Sequence, residues 1–97
     1  MIIHQREINY KGNYPEFFEA LVKLKTYMEK KHPDISVELM YNLAGQRGRA
    51  TVQIRYPSLA DYERIDAEAD KDPEYNGLLE PIITKEDLPI DQFYRVF

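Results

Sequence analysis

Apolar and polar residues alternate along two neighbouring stretches of the chain, and this two-residue period is typical of β-strands. The stretches are residues 35–43 and 49–56, and the short segment between them contains two glycines. Two alternating runs joined by a short glycine-containing loop predict a β-hairpin. The connecting loop, residues 44–48, has no apolar anchor, so we expect it to be mobile.

Two further strands are predicted at the ends of the chain. Residues 2–10 alternate without a cleanly apolar face, and residues 90–97 carry Phe93 and Phe97 on one side. The preceding segment, 84–89, is expected to be a second mobile loop. The sequence therefore predicts one strand before the hairpin and one at the end of the chain.

Apolar residues at steps of three and four predict helices between the strands. The first helix covers about residues 15–31, and its apolar stripe consists of Phe17, Leu21, Leu24 and Met28. A second helix covers about residues 59–70, because Ser58 and Asp61 form a capping-box-like start. Asp72-Pro73 ends it, and Pro73 opens a short further helix toward Pro81.

The element order β-α-β-β-α-β is compatible with few folds. It predicts a ferredoxin-like α+β sandwich, in which a four-stranded antiparallel sheet carries two helices on one face. The length of 97 residues suits a single domain spanning residues 1–97. The apolar side of the hairpin faces the helices, and its residues are Ile35, Val37, Leu39, Ala50, Val52 and Ile54. The opposite face is polar and can lie in water or cover a second copy.

Composition excludes several functions. The chain has no cysteine, so it forms no disulfide or thiolate metal site. It has 13 basic and 17 acidic residues without a basic block, which argues against nucleic-acid binding. It lacks a signal-peptide pattern and an apolar run of the ~20 residues that a membrane span needs. We therefore expect a cytoplasmic protein with no membrane contact.

Three local sequences carry a resemblance to a known superfamily. They are residues 17–21 (FFEAL) in the first helix, 56–62 (YPSLADY) at the start of the second, and 72–75 (DPEY) after it. With them the chain resembles the dimeric α+β barrel superfamily, and within it the small antibiotic-biosynthesis-monooxygenase-like and NIPSNAP-like proteins. The resemblance implies a homodimer whose two sheets pair into a barrel, with helices outside and a cavity within.

The superfamily includes cofactor-free oxygenases, haem-degrading enzymes and lactone isomerases, so the resemblance implies a shape more than a reaction. The haem-degrading members are described by a conserved Asn, Trp and His, and this chain has no Trp. Two histidines without cysteine predict no metal site. The working hypothesis is a homodimer that binds or converts a small organic molecule without a cofactor, as an oxygenase or isomerase would. The alternative is a non-catalytic dimerisation or protein-interaction module.

His4 is the candidate proton-transfer residue, because a strand histidine with a pKa near neutrality can act as a general base. Arg6 lies on the same face of a regular strand and could hold the anion that forms. The alternative is a hydrogen-bonded structural histidine. Strand alternation leaves the direction of His4 open, because Ile2 and Ile8 on its face look buried whereas Arg6 does not. A His4 ring packed under the helices would favour the non-catalytic module.

Four polar residues on one face of the hairpin are candidate ligand-binding groups alongside Arg6: Glu38, Asn42, Gln53 and Arg55. Together they could bind a polar small molecule. The alternative is cross-strand pairing of Glu38 or Glu7 with Arg49 or Arg55. Each such pair contributes only ~0.2–1 kcal/mol to stability.

Overall fold

The structure is a computed structural model that describes residues 1–10, 14–42 and 48–97. The described residues form four strands and three helices. Their bounds, in chain order, are β1 Ile2–Tyr10, α1 Tyr14–Lys31, β2 Ser36–Tyr41, β3 Arg49–Tyr56, α2 Leu59–Asp70, α3 Pro73–Ile83 and β4 Glu86–Arg95. The predicted ferredoxin-like α+β fold is confirmed, with a third helix in addition to the two expected.

The four strands form one antiparallel sheet in the order β2-β3-β1-β4. The register places His4 opposite Ile54 on β3 and opposite Phe93 on β4. Because successive side chains of a strand point to opposite faces, this register fixes which residues share a face. The "helix-side face" contains His4, Ile54, Phe93 and the residues two positions away from each. The "open face" contains the residues between them, such as Gln5, Gln53 and Gln92.

The prediction of a loop at residues 84–89 is wrong, because β4 already begins at Glu86. Pro89 suggested a loop, since proline cannot donate a backbone hydrogen bond to a sheet. β4 is an edge strand, however, and an edge strand pairs on one side only. The pairing with β1 also shifts register between Glu7 and Asn9, opposite the segment that contains Pro89. An edge position and a bulge together accommodate the proline.

The short helix expected after Asp72 is a full third helix of 11 residues. Asp72 caps its N-terminus with a side-chain oxygen that accepts from the backbone N–H groups of Glu74 and Tyr75. Proline at the first helical position suits this start, because its missing N–H would have no partner there. The helix continues past Pro81 and ends at Ile83. The further helix predicted from Pro73 toward Pro81 is therefore present, and it is longer than expected.

The hydrophobic core lies between the helix-side face and the helices, in two clusters. One cluster joins Met28 of α1 and Ile65 of α2 to Val37 and Tyr56 of the sheet. The other consists of Ile8, Phe17, Leu21, Ala50 and Ile82. The predicted apolar side of the hairpin is thus confirmed as the side that meets the helices. No helix within the three described segments is long and apolar enough to cross a membrane.

The loop at residues 44–48, expected to be mobile, lies outside the described residues except for Gly48. Gly48 adopts a φ of 78°, a left-handed conformation that glycine reaches without steric cost. Its carbonyl oxygen accepts a hydrogen bond of 3.0 Å from the backbone N–H of Tyr10. This glycine therefore leads the chain into β3 beside the end of β1.

Candidate functional site

The direction of β1, which the sequence left open, is decided by its two isoleucines. Ile2 and Ile8 are buried against the helices, with exposed fractions of 8% and 1%. His4 and Arg6 lie at even positions between them, so their side chains also point to the helix-side face. His4 and Arg6 line a cavity on that face.

The cavity lies between the sheet and helices α1 and α3, and its volume is about 150 Å³. Most of its wall is aliphatic, with Leu24 and Met28 from α1, Leu79 and Ile82 from α3, and Val52 and Ile54 from β3. The polar residues of the wall are His4, Arg6, Lys25, Tyr75 and Glu86. An apolar pocket with a few polar groups is the usual form of a small-molecule site.

His4 is held in one orientation by two neighbours on β4. Its Nε2 lies 2.8 Å from Oδ1 of Asp91, and its ring stacks on Phe93 at 4.4 Å between centroids and 10° between planes. A carboxylate can only accept a hydrogen bond, so the neutral imidazole carries its proton on Nε2. Nδ1 is then the atom with a lone pair. The side chain of His4 remains 20% exposed, so the helices do not pack it in.

Arg6 is engaged by two carboxylates, which changes the role expected for it. Its Nη1 lies 3.2 Å from Oδ2 of Asp91, and its Nη2 donates to Oε1 of Glu86 at 2.6 Å. The side chain of Glu86 is only 8% exposed. The expectation that Arg6 holds a substrate anion is therefore not supported, because its charge is already neutralised by the protein.

Tyr75 contributes a hydroxyl at the start of α3. Among the described residues, none hydrogen-bonds to this hydroxyl, and no side-chain oxygen or nitrogen that is fully buried lacks a partner. Tyr75 lines the cavity, and its hydroxyl is not occupied by another of these residues. Burial raises the pKa of Tyr75, with the negative charge of Asp66 adding to the effect. Tyr75 therefore stays protonated at neutral pH and can donate a hydrogen bond.

Lys25, the remaining polar wall residue, is held within the protein. Its Nζ lies 2.8 Å from Oε1 of Glu29 and donates to the backbone oxygen of Val37 at 2.6 Å. The hydrogen bonds from Lys25 and from the Val37 N–H lower the pKa of Glu29, so this carboxylate is charged at neutral pH. The ammonium of Lys25 is thus neutralised as well.

The other predicted ligand-binding residues lie away from this cavity. Glu38, Gln53 and Arg55 lie on the open face, across the sheet from His4 and Arg6. There Arg55 donates to the side-chain oxygen of Gln53 at 3.3 Å. Asn42 follows β2, and its backbone N–H donates to the carbonyl of Arg49 at 3.3 Å. The sheet therefore separates the predicted residues into two groups.

Sequence reasoning missed three residues of the site, Tyr75, Glu86 and Asp91. Glu86 lies in the segment that was predicted to be a loop. Asp91 lies within the predicted last strand, but its place opposite Arg6 depends on the β1–β4 register. The available signal was charge: the acidic residues Glu86, Asp87 and Asp91 of the last strand complement His4 and Arg6 on the first.

Fold and site together define a class of protein: a ferredoxin-like α+β domain with a cavity of ligand size between its sheet and its helices. No protein-family model matches the sequence, and no curated protein matches it significantly. Solved structures do match. An uncharacterised NIPSNAP domain protein from Burkholderia xenovorans superposes with a TM-score of 0.82 at 11% identity, covering 100% of this chain and 95% of that one.

Two further matching structures are of proteins described as oxygenases. SnoaB from Streptomyces nogalater, described as a cofactor-independent oxygenase, has a TM-score of 0.77 at 8% identity, and the match covers 98% of this chain and 91% of SnoaB. A candidate antibiotic biosynthesis monooxygenase from Deinococcus radiodurans has a TM-score of 0.79 at 11% identity, covering 100% and 93%. Identities this low show the fold alone. At that level, the resemblance inferred from the sequence is confirmed.

Proposed function

We propose that this protein binds a small organic molecule in the cavity between sheet and helices, and that His4 exchanges a proton with it without a cofactor. The observation that carries the proposal is an apolar cavity whose wall holds an imidazole already oriented by a carboxylate. The sequence hypothesis placed the cavity inside a barrel of paired sheets. The cavity proposed here lies instead on the helix-side face of the sheet, because His4 points to that face.

The size of the cavity limits the ligand. A volume of about 150 Å³ resembles that of an engineered apolar cavity that takes up benzene. A ligand of about one ring therefore fits, whereas a fused system of several rings requires the helices to move. Single-ring compounds are therefore the suitable probes for experiments.

The chemistry follows from the state of His4. With Nε2 bonded to Asp91, a proton is gained or lost at Nδ1, and Asp91 stabilises the imidazolium that forms. Tyr75 donates its hydroxyl hydrogen to the oxygen that becomes negative when a neighbouring C–H is deprotonated. Return of the proton to another carbon gives isomerisation, and reaction of the carbanion with dioxygen gives oxygenation. SnoaB, an oxygenase of this fold, supports the second outcome.

A second candidate function rests on the open face. Met40 and Ile90 lie in one row across the sheet, on the side away from the helices, and are 40% and 47% exposed. Exposed apolar side chains on a flat sheet favour association. We propose that the protein is a cytoplasmic homodimer through this face. If the cavity binds nothing, dimerisation or partner binding becomes the whole function.

The test of the cavity function uses cyclohexanone, a single-ring ketone. We expect it to shift the amide resonances of Val52 and Leu79 and to leave those of Glu38 unchanged. We also expect the protein to accelerate exchange of the α-protons of cyclohexanone in D₂O above the rate in buffer. His4→Gln should return exchange to the buffer rate, whereas His32→Gln, which changes the other histidine, should not. Absence of binding, or undiminished exchange in His4→Gln, would refute the proposal.

A further inference from the structure

The charged residues that border the cavity, together with the carboxylates that contact them, carry more negative than positive charge. Two cations border it, Arg6 and Lys25, and three carboxylates contact them, from Glu29, Glu86 and Asp91. With His4 neutral, the formal balance is one negative charge. A cavity with aliphatic walls screens such a charge poorly, so the balance matters for any charged ligand.

Among the described residues of the wall, both cations, Arg6 and Lys25, already have their charge balanced by protein carboxylates. Arg6 uses Nη1 for Asp91 and Nη2 for Glu86, and the ammonium of Lys25 is held by Glu29 and a backbone carbonyl. A carboxylate ligand would add a further negative charge beside these paired groups, or would have to displace Glu86, whose side chain is only 8% exposed. A buried carboxylate left without its partner is strongly unfavourable, because an uncompensated charge remains.

Tyr75 supplies an uncharged hydrogen-bond donor to the wall. The hydroxyl of Tyr75 has no acceptor among the residues that the structure describes, and its raised pKa keeps the proton in place. A neutral donor in an apolar cavity favours a neutral acceptor, such as the carbonyl oxygen of a ketone, aldehyde or lactone.

We propose that the cavity selects uncharged single-ring carbonyl compounds and rejects carboxylates of the same size, with Tyr75 as the donor and Glu86 as the group that excludes anions. This inference rests on the proposed cavity function and adds the class of ligand. Glu86 is the residue that matters most for exclusion, because it neutralises Arg6 from within the cavity wall and is nearly inaccessible to solvent.

The experiment compares three probes of similar shape by NMR titration at pH 7.5: cyclohexanone, cyclohexane and cyclohexanecarboxylate. For the unmodified protein we expect cyclohexanone to bind best, with cyclohexanecarboxylate weaker by about tenfold or more, equivalent to ~1.4 kcal/mol. Equal or tighter binding of the carboxylate would overturn the inference and leave the cavity function standing. Failure of all three probes to bind would refute both.

Two substitutions then separate the donor from the excluding charge. Tyr75→Phe should weaken cyclohexanone by about two- to tenfold and leave cyclohexane unchanged, whereas Tyr94→Phe on the open face should change neither. Glu86→Gln removes one carboxylate from Arg6, so it should admit cyclohexanecarboxylate. Unchanged ketone binding in Tyr75→Phe, or continued exclusion of the carboxylate in a folded Glu86→Gln protein, contradicts the roles assigned here. Thermal melting establishes folding, and the wild-type comparison stands by itself if Glu86→Gln is unstable.

Discussion

Ile65 shows how strongly a single side chain of the core is constrained. It lies on α2 with an exposed fraction of 1% and packs in the cluster that contains Met28, Val37 and Tyr56. Removing methyl groups at such a position loses their burial and leaves a cavity behind. Ile65 follows Tyr62 by three residues on α2, so the helical period by itself places both side chains on one apolar stripe.

We expect Ile65→Val to lower the free energy of unfolding by about 0.5–1.5 kcal/mol and Ile65→Ala to lower it by about 2–5 kcal/mol. Leu59 on the same helix is a matched control, because its side chain is 45% exposed. Leu59→Ala should change stability by less than ~0.5 kcal/mol. Urea unfolding followed by circular dichroism measures all three. Equal effects at Ile65 and Leu59 would show that α2 is not packed as described.

The sequence identified the chemistry of the His4 side chain and its neighbour Arg6. It did not identify the face of the sheet toward which the His4 side chain points. Alternation assigns His4 and Arg6 to one face, and burial of Ile2 and Ile8 decides which face that is. Burial depends on where the helices lie, and this is not encoded within the nine residues of β1.

At the scale of elements, Asp72 links two helices. Its Oδ1 caps α3 by accepting from the N–H groups of Glu74 and Tyr75 at 3.0 and 3.3 Å. Its Oδ2 accepts from Lys31 of α1 at 2.5 Å and from the Tyr27 hydroxyl. The hydrogen bonds from Lys31 and Tyr27 hold the pKa of Asp72 well below its usual range. One carboxylate thus positions the helix that carries Tyr75 over the cavity.

This lowered pKa predicts a pH dependence of stability. A carboxyl group whose pKa is lower in the folded state stabilises the protein above its unfolded pKa, about 3.9 for aspartate. The stabilisation is lost as the pH falls below that value through the folded pKa. We therefore expect the Tm to decrease below about pH 4, and part of this decrease should disappear in Asp72→Asn.

Asparagine and alanine separate the two roles of Asp72. Asparagine is a good N-cap but carries no charge, so at pH 7 Asp72→Asn should lose only the link to α1. Asp72→Ala also loses the cap, so its Tm should be lower still. Thermal melts from pH 2 to 7 measure both effects. Parallel Tm profiles for the wild type and Asp72→Asn would mean that the carboxylate charge does not link the helices.

At the scale of the whole molecule, the two faces of the sheet have different roles. The helix-side face is covered by helices and holds the cavity, whereas the open face exposes apolar and polar side chains in adjacent rows. One row contains Glu38, Gln53, Gln5 and Gln92, and the next contains Met40, Thr51, Glu7 and Ile90. A sheet face that exposes apolar side chains among polar ones favours association over full exposure to solvent.

We expect sedimentation velocity to show a dimer at micromolar concentration. Ile90→Lys should shift the protein toward monomer, because it replaces an exposed apolar side chain of the proposed interface with a charge. Leu59→Lys is the matched control, since it changes a similarly exposed apolar residue on α2. A wild-type monomer, or dissociation by Leu59→Lys but not by Ile90→Lys, would contradict association through the open face.

The sequence by itself determined the strands of the hairpin, the first two helices and the ferredoxin-like order, because these depend on local periodicity, caps and turns. It also singled out His4 and Arg6. Only the tertiary structure decided that β4 begins at Glu86 and that α3 is a full helix. It also separated His4 from Glu38, Gln53 and Arg55, and it brought Glu86 and Asp91 to Arg6. Those outcomes depend on strand register and on the packing of distant segments, and a one-residue change of register would move every side chain of a strand to the other face.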